Sequence, residues 1–245
     1  MRVVLLRVGT DSGCRPVNAN GPIFPDGRFE YVPLPDIRSL HEKRTYGNTF
    51  GRMERPLADY FPERRKSIAG VAIHFDPEFD TFTYGTPTRM QRSLASLEAG
   101  DYLLFYGGLR QVTDDGGPIP RTPHALYLFG YFRVDHAVRA REYHRDELLP
   151  TFGANFHVRH PDIFVHDHEE LVLVKGGPES RLLERAVPIS DRRPNRRGRA
   201  TFVLSEPMAE IFGPLSGGGF IERCSPRWIS GTFVDSAVSF VSALM

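Results

Sequence analysis

Cysteine is scarce: Cys14 and Cys224 are the only two in 245 residues. That is too few for a disulfide framework or a thiolate zinc site, and it points to a reducing compartment, the cytoplasm. Lysine is nearly absent, with Lys43, Lys66 and Lys175 standing against 28 arginines. Arginine grips carboxylates and phosphates with a planar fork, although a GC-rich coding bias produces the same excess. Net charge is missing too: the formal sum is +1, so no global field draws the chain to nucleic acid or lipid, and any nucleic-acid contact must be local. Long apolar runs are lacking. Val3–Leu6 is cut short by Arg7, and nothing elsewhere approaches the ~18 residues of a membrane span, so neither a signal peptide nor membrane insertion is expected. The glycine-rich phosphate loops of dinucleotide-binding and P-loop folds are absent, as is the G-x-S-x-G elbow of covalent hydrolases, which removes those classes.

What is present is a globular balance, 40% hydrophobic and 25% charged residues, which excludes general disorder. No repeat or linker interrupts the chain, so residues 1–245 are expected to form a single domain. Val3–Leu6 reads as a buried central strand. Val8–Gly27 is too dense in glycine, proline and asparagine for anything but a long loop, a kind that is usually functional. Arg28–Leu34 alternates like a short edge strand. Asp36–Lys66 loses apolar periodicity, apart from a helix near Leu57–Phe61, and reads as a surface excursion. Ile68–Phe75 is a second buried strand, and Thr86–Leu97 has helical spacing. Asp101–Gly107 and Ala125–Val134 are the clearest strands and should pair antiparallel. Val138–Leu149 follows as a helix, Glu170–Val174 and Arg181–Ile189 as a strand pair across GGPES, and Asp191–Arg199 as a basic turn. Ala200–Leu204 (strand), Pro207–Phe212 (helix) and an apolar last segment complete an α+β reading.

Chemistry concentrates where Ile68–Phe75 ends. His74, Asp76, Glu78 and Asp80 form H-x-D-x-E-x-D; extended backbone puts His74 and Asp76 on one face, and Pro77 turns the chain before Asp80. The pattern suits a divalent metal on Asp76 and Asp80, or an acid/base pair of His74 and Asp76. It also fits a solvated turn with one half-buried histidine. Arg7, Asp11 and Ser12 follow the first strand, where Gly9 and Gly13 free backbone N–H groups to meet an anion clamped by Arg7; an Arg7–Asp11 pair across the turn is the alternative. The first strand and Ile68–His74 are expected to end side by side, gathering Arg7, Asp11, His74 and Asp76 around one cavity. His157, in a histidine-rich stretch that otherwise reads as a solvated loop, is an auxiliary ligand contact. Arg192, Arg193, Arg196, Arg197 and Arg199 are the local basic cluster and the expected nucleic-acid contact.

Gly100–Gly107 followed by Leu126–Val134 looks like the strand pair of PUA-like barrels, including their EVE and ASCH members, which bind RNA or recognise altered bases. That likeness implies a mixed, partly barrel-like β core with peripheral helices. It also implies a base ring approaching Gly107, Gly108 and Gly130 and stacking on Tyr102, Tyr106, Tyr127 or Tyr131, which could equally be the buried side chains of an ordinary hairpin. Over most of its length the chain resembles the nucleotide modification associated domain of the third type. The matching elements are Arg7-Val8-Gly9-Thr10-Asp11, Pro22-Ile23-Phe24-Pro25-Asp26-Gly27, Pro33-Leu34-Pro35, His74-Phe75-Asp76-Pro77, Gly100–Gly107 and Asn155-Phe156-His157. Val8 stands where the family carries lysine, and Phe156 where it carries proline. The resemblance implies a role in base modification, with a nucleotide or nucleic acid as partner and other base-modification proteins alongside. Three functions stay open: an enzyme acting on a nucleobase or nucleotide through His74 and Asp76, a non-catalytic reader of modified bases, and a structural subunit of a modification system.

Overall fold

The computed structural model describes residues 1–9, 20–36, 38–39, 41–61, 63–117, 119, 122, 124–195, 197–215, 219–222 and 224–244, excluding the side chains of 63–66. In chain order the strands are β1 (Val3–Arg7), β2 (Gly21–Ile23), β3 (Leu34–Asp36), β4 (Ala72–His74), β5 (Thr83–Thr86), β6 (Tyr102–Gln111), β7 (Ala125–Arg139), β8 (Val172–Gly176), β9 (Arg181–Pro188), β10 (Ser190–Pro194), β11 (Ala200–Leu204) and β12 (Arg227–Trp228). The α-helices are α1 (Arg145–Phe152), α2 (Phe156–Arg159), α3 (Pro161–Asp167), α4 (Glu206–Phe212) and α5 (Val234–Ser242).

β6 and β7 form the spine, antiparallel from Tyr102 opposite Arg133 to Leu109 opposite Ala125. β1 lies parallel to β6 on the other side, and β12 runs antiparallel to β1. Alternation then decides the packing, because successive side chains of a strand point to opposite faces. Val3, Leu5, Tyr102, Leu104 and Tyr106 face a core closed by Phe202, Leu204, Met208, Phe212 and the apolar side of α5. Val4, Leu6, Leu103 and Phe105 face the opposite core with Phe29, Leu94, Phe129, Phe132 and Val174. Both faces are covered, so β1 has no polar face.

The sheet has eight strands along the path β12-β1-β6-β7-β8-β5, with β2 beside β6 and β9 beside β7. Its two ends do not meet, so the sheet stays open and the barrel-like closure expected of a PUA-like core is not formed; a mixed α+β fold remains. β8 and β9 do not make a hairpin either. Both run antiparallel to β7 and succeed one another along it, β9 opposite Tyr127–Tyr131 and β8 opposite Val134–Arg139. The intervening turn is tied to β7 through Gly177 N–H donating to the Arg133 carbonyl at 2.7 Å.

The expected strand at Ile68–Phe75 shortens to β4, preceded by a 3-10 turn over Glu63–Gly70. β4 pairs with β3 and not with β1, whose two edges are already taken by β6 and β12. The expected surface excursion instead carries a small core of Val32, Tyr46, Leu57, Phe61, Ile68 and Ile73. Tyr46 is fully buried there and its hydroxyl donates to the Pro33 carbonyl at 2.7 Å. Its apolar residues follow no regular period because turns, not a helix or long strand, bring them together. The helix expected at Thr86–Leu97 is a 3-10 segment, Arg89–Ser96, and that expected at Val138–Leu149 begins only at Arg145, as α1, because β7 runs on to Arg139. α1, α2 and α3 pack on Leu171 and Leu173, and α2 stands beside β5. Among the described residues no helix is long and apolar enough to cross a membrane.

Candidate active centre

Three segments converge at the free edge of β5. β4 ends in His74, and two residues later Asp76 enters alongside β5, where the Gly85 N–H donates to both its carboxylate oxygens at 2.9 and 3.0 Å. The chain stays against that edge: Glu78 and Thr83 exchange both backbone hydrogen bonds, and the Glu78 carboxylate accepts from the N–H groups of Asp80 and Thr81 to close the turn. The third segment is α2. Asn155 caps it by accepting from His157 N–H at 3.1 Å, an arrangement that satisfies a helix-end donor. Gly85 admits this helix end, since a Cβ there would stand 2.8 Å from both Asn155 Oδ1 and His157 Cδ2.

His157 Nε2 is 3.3 Å from Asp76 Oδ2, and His74 Nε2 is 3.6 Å from the same oxygen. On its other side His157 Nδ1 meets Asp167 Oδ2 at 2.7 Å. Asp167 is anchored in turn by Arg38 Nη1 at 3.0 Å and His166 Nδ1 at 2.7 Å. The His74 ring stacks on Phe156 with centroids 3.9 Å apart. Asp76, His157 and Asp167 are buried, and His74 keeps 13% of its side chain exposed. Burial pushes the His74 imidazole below its ordinary pKa, against the attraction of Asp76. Burial acts on His157 in the same sense, but Asp167 and Asp76 outweigh it and its pKa is raised. Asp167 is held below the usual carboxylate range because His157, His166 and Arg38 overcome the desolvation that opposes ionisation. Burial, then the charge of Asp76, raises the Tyr31 and Tyr84 phenols, which stay protonated. With Nδ1–H given to Asp167, His157 presents Nε2 to the Asp76 side, where it can accept a proton or ligate a cation. His74, Asp76 and His157 are the one such group among the described residues whose donor atoms lie within 4.8 Å of one another.

The model of the nucleotide modification associated domain 3 family matches residues 2–208. The chain belongs to that family. The matched span includes the whole His74, Asp76, His157 and Asp167 centre and stops within α4, leaving β12 and α5 outside. No curated protein and no solved structure matches the chain.

Within this family member, the remaining expected site residues are dispersed. Arg7 is buried and its guanidinium donates to the Glu222 carbonyl in the C-terminal segment; Asp11 and Ser12 lie outside the described residues. With β4 paired to β3, the expected side-by-side ending of β1 and Ile68–His74 is not formed. Asp80 is exposed and lines a separate cavity, so it does not share the centre with Asp76. Tyr106 is fully buried with its hydroxyl donating to the Ile221 carbonyl at 3.0 Å, and Tyr102 and Tyr131 are buried with it, so these rings offer no face to a base. Gly107 serves close strand packing, since a Cβ there would lie 2.5 Å from the Val8 carbonyl oxygen. Arg192 and Arg193 are exposed on β10, paired with β11, and Arg197 and Arg199 are exposed in the connecting turn; Arg196 lies outside the described residues. Sequence reasoning treated His157 as auxiliary and did not single out Asp167 or Gly85. Asp167 carried a signal, an acid between two histidines at the end of a short helix.

Proposed function

We propose that this protein is an enzyme that binds a nucleotide, or a base in DNA, and modifies it at the His74, Asp76 and His157 centre. The observation that carries the reading is the withdrawal of two imidazoles and a carboxylate from solvent, brought together from the His74–Asp76 stretch and from α2, inside a nucleotide modification associated domain. Apolar side chains would fill that volume with less desolvation cost, so the polar set is a functional choice. His157, oriented by Asp167, is the proton-handling group, and Asp76 is the charge beside it. The exposed arginines of the β10–β11 hairpin supply phosphate contacts when the base is in DNA. The proposed setting is the cytoplasm, alongside other base-modification proteins.

The test is product formation, read by mass spectrometry, over nucleotides and duplexes carrying plain and modified bases. His157→Gln and Asp76→Asn should lower turnover by about 10² or more. Ligand affinity should stay within about tenfold, because one hydrogen bond is worth about 0.5–1.5 kcal/mol. Wild-type protein that binds a modified nucleotide and converts none of the panel overturns the enzyme reading.

A second reading, recognition without chemistry, draws on a cavity of about 300 Å³ walled by Tyr31, Phe50, Phe75 and Phe79, with Arg44 and Arg52 at its side. Phe75 lies between His74 and Asp76 in sequence and lines this cavity, so the cavity and the centre flank one stretch of chain. Under that reading Phe50→Ala, at a side chain 65% exposed, weakens binding by the about 1–3 kcal/mol of one stacked base.

A further inference from the structure

We infer that His74 Nε2, His157 Nε2 and the Asp76 carboxylate form a binding site for one divalent first-row transition ion or zinc. The inference deepens the proposed function by naming a cofactor for the same centre, and it rests on that reading only for what the ion would do. The donor set is the first argument. Two imidazoles and one carboxylate suit Zn²⁺, Fe²⁺, Co²⁺ or Mn²⁺, whereas Mg²⁺ and Ca²⁺ are held by oxygen.

Geometry is the second argument. Donors about 2.1 Å from a common ion in tetrahedral array stand about 3.4 Å apart. Asp76 Oδ2 is 3.3 Å from one imidazole nitrogen and 3.6 Å from the other, and all three donors lie within 4.8 Å of one another. The first two separations match the tetrahedral edge to within about 0.2 Å, and the two imidazole donors stand no more than 4.8 Å apart.

The third argument is what surrounds the donors. His74 Nε2 is buried with no hydrogen-bond partner among the described residues, and an ion would satisfy it where a hydrogen bond does not. Asp167 at His157 Nδ1 is the carboxylate that stands behind metal-ligating histidines, fixing the tautomer that leaves Nε2 free to ligate. The Gly85 N–H, donating to both oxygens, holds the Asp76 carboxylate in place. With three protein ligands, the ion would retain a position for water or substrate, as catalytic sites do and structural sites do not.

The test uses the full chain, stripped with chelator and titrated with Co²⁺ and Zn²⁺, followed by calorimetry, metal analysis and the ligand-field absorption of Co²⁺. About one ion per chain is expected, resisting about a hundredfold excess of Mg²⁺. His74→Ala and His157→Ala should each abolish the Co²⁺ absorption, and Asp167→Asn, which leaves all three ligands in place, should weaken binding about 10- to 100-fold. His136→Gln, at a half-exposed histidine outside the centre, should change nothing. Circular dichroism confirms that each variant is folded. Stripped wild-type protein that takes up neither ion overturns the inference, as does uptake that survives replacement of both His74 and His157. Metal uptake is read without turnover. Uptake with no product on any nucleotide sinks the proposed function alone, and turnover by metal-free protein removes the ion from the reaction while the uptake result still decides the site.

Discussion

The central sheet and the rim that carries the candidate centre are both buried, yet they are held by opposite means. β1, β6 and β7 are held by apolar side chains alternating between two cores, with Phe105 touching Phe79, Tyr84 and Phe132. The rim is held by polar groups reaching across the chain: Gly85 to Asp76, Asp167 to His157 and Arg38, Glu42 to Arg159 and His160. Apolar packing is non-directional, so the sheet should suffer in proportion to the volume lost. Hydrogen bonds depend on direction, and the rim should suffer when a group is displaced by tenths of an ångström even with nothing removed.

The contrast can be broken in order of size. Phe105→Ala should cost about 3–5 kcal/mol in urea denaturation, because a fully buried ring leaves a cavity in the core on one face of the sheet. A cost under about 1 kcal/mol would mean that the sheet does not carry the fold. Gly85→Ala, which adds one methyl against Asn155 and His157, should cost about 1–3 kcal/mol. It should also reduce turnover and Co²⁺ uptake together. A variant with wild-type uptake would show that β5 does not set the position of His157.

Glu42→Gln should cost about 1 kcal/mol at neutral pH. Burial opposes ionisation of Glu42, but Arg44 and Arg159 hold its pKa below 4.5. Its contribution is therefore complete above the ordinary glutamate pKa and lost as pH falls through the lowered one. Wild type and variant should converge in acid and separate toward neutrality; a constant difference across the range would remove Glu42 as a titrating tie. Last, changing Arg192, Arg193, Arg197 and Arg199 to glutamine should leave stability within about 0.5 kcal/mol. DNA retention should fall and depend less on salt, while mononucleotide binding persists. Unchanged retention would clear the hairpin of that role.

These two regions also differ in how much of them the sequence discloses. β6 and β7 were legible because Tyr102–Gly107 and Leu126–Val134 are short, nearly unbroken apolar runs rich in aromatic residues, as strands buried on both faces are. The rim was half legible. His74 and Asp76 share a face by strand alternation, which two residues of separation reveal. His157 and Asp167 reach the same place through the packing of α2 and α3 on Leu171 and Leu173, and no local spacing reports that. Tyr106 misled for the reverse reason: an aromatic beside two glycines reads alike whether it meets a ligand or the far side of its own core. The small core around Tyr46 escaped notice because turns follow no period.

The outer edge of β5 has one more consequence. A sheet edge with unclaimed N–H and C=O groups is a template on which another chain can pair. Here the segment from Asp76 to Glu78 occupies that edge, with Glu78 pairing Thr83 through the backbone and Asp76 accepting from Gly85 through its side chain. The carboxylate at the centre therefore also ends the sheet, taking the place of a further strand as acceptor for the Gly85 N–H. Removing it outright, as in Asp76→Ala, uncovers a backbone donor on a buried edge. Such a variant should lose about 1–3 kcal/mol of stability, where Asp76→Asn, which keeps an acceptor for Gly85, should lose less.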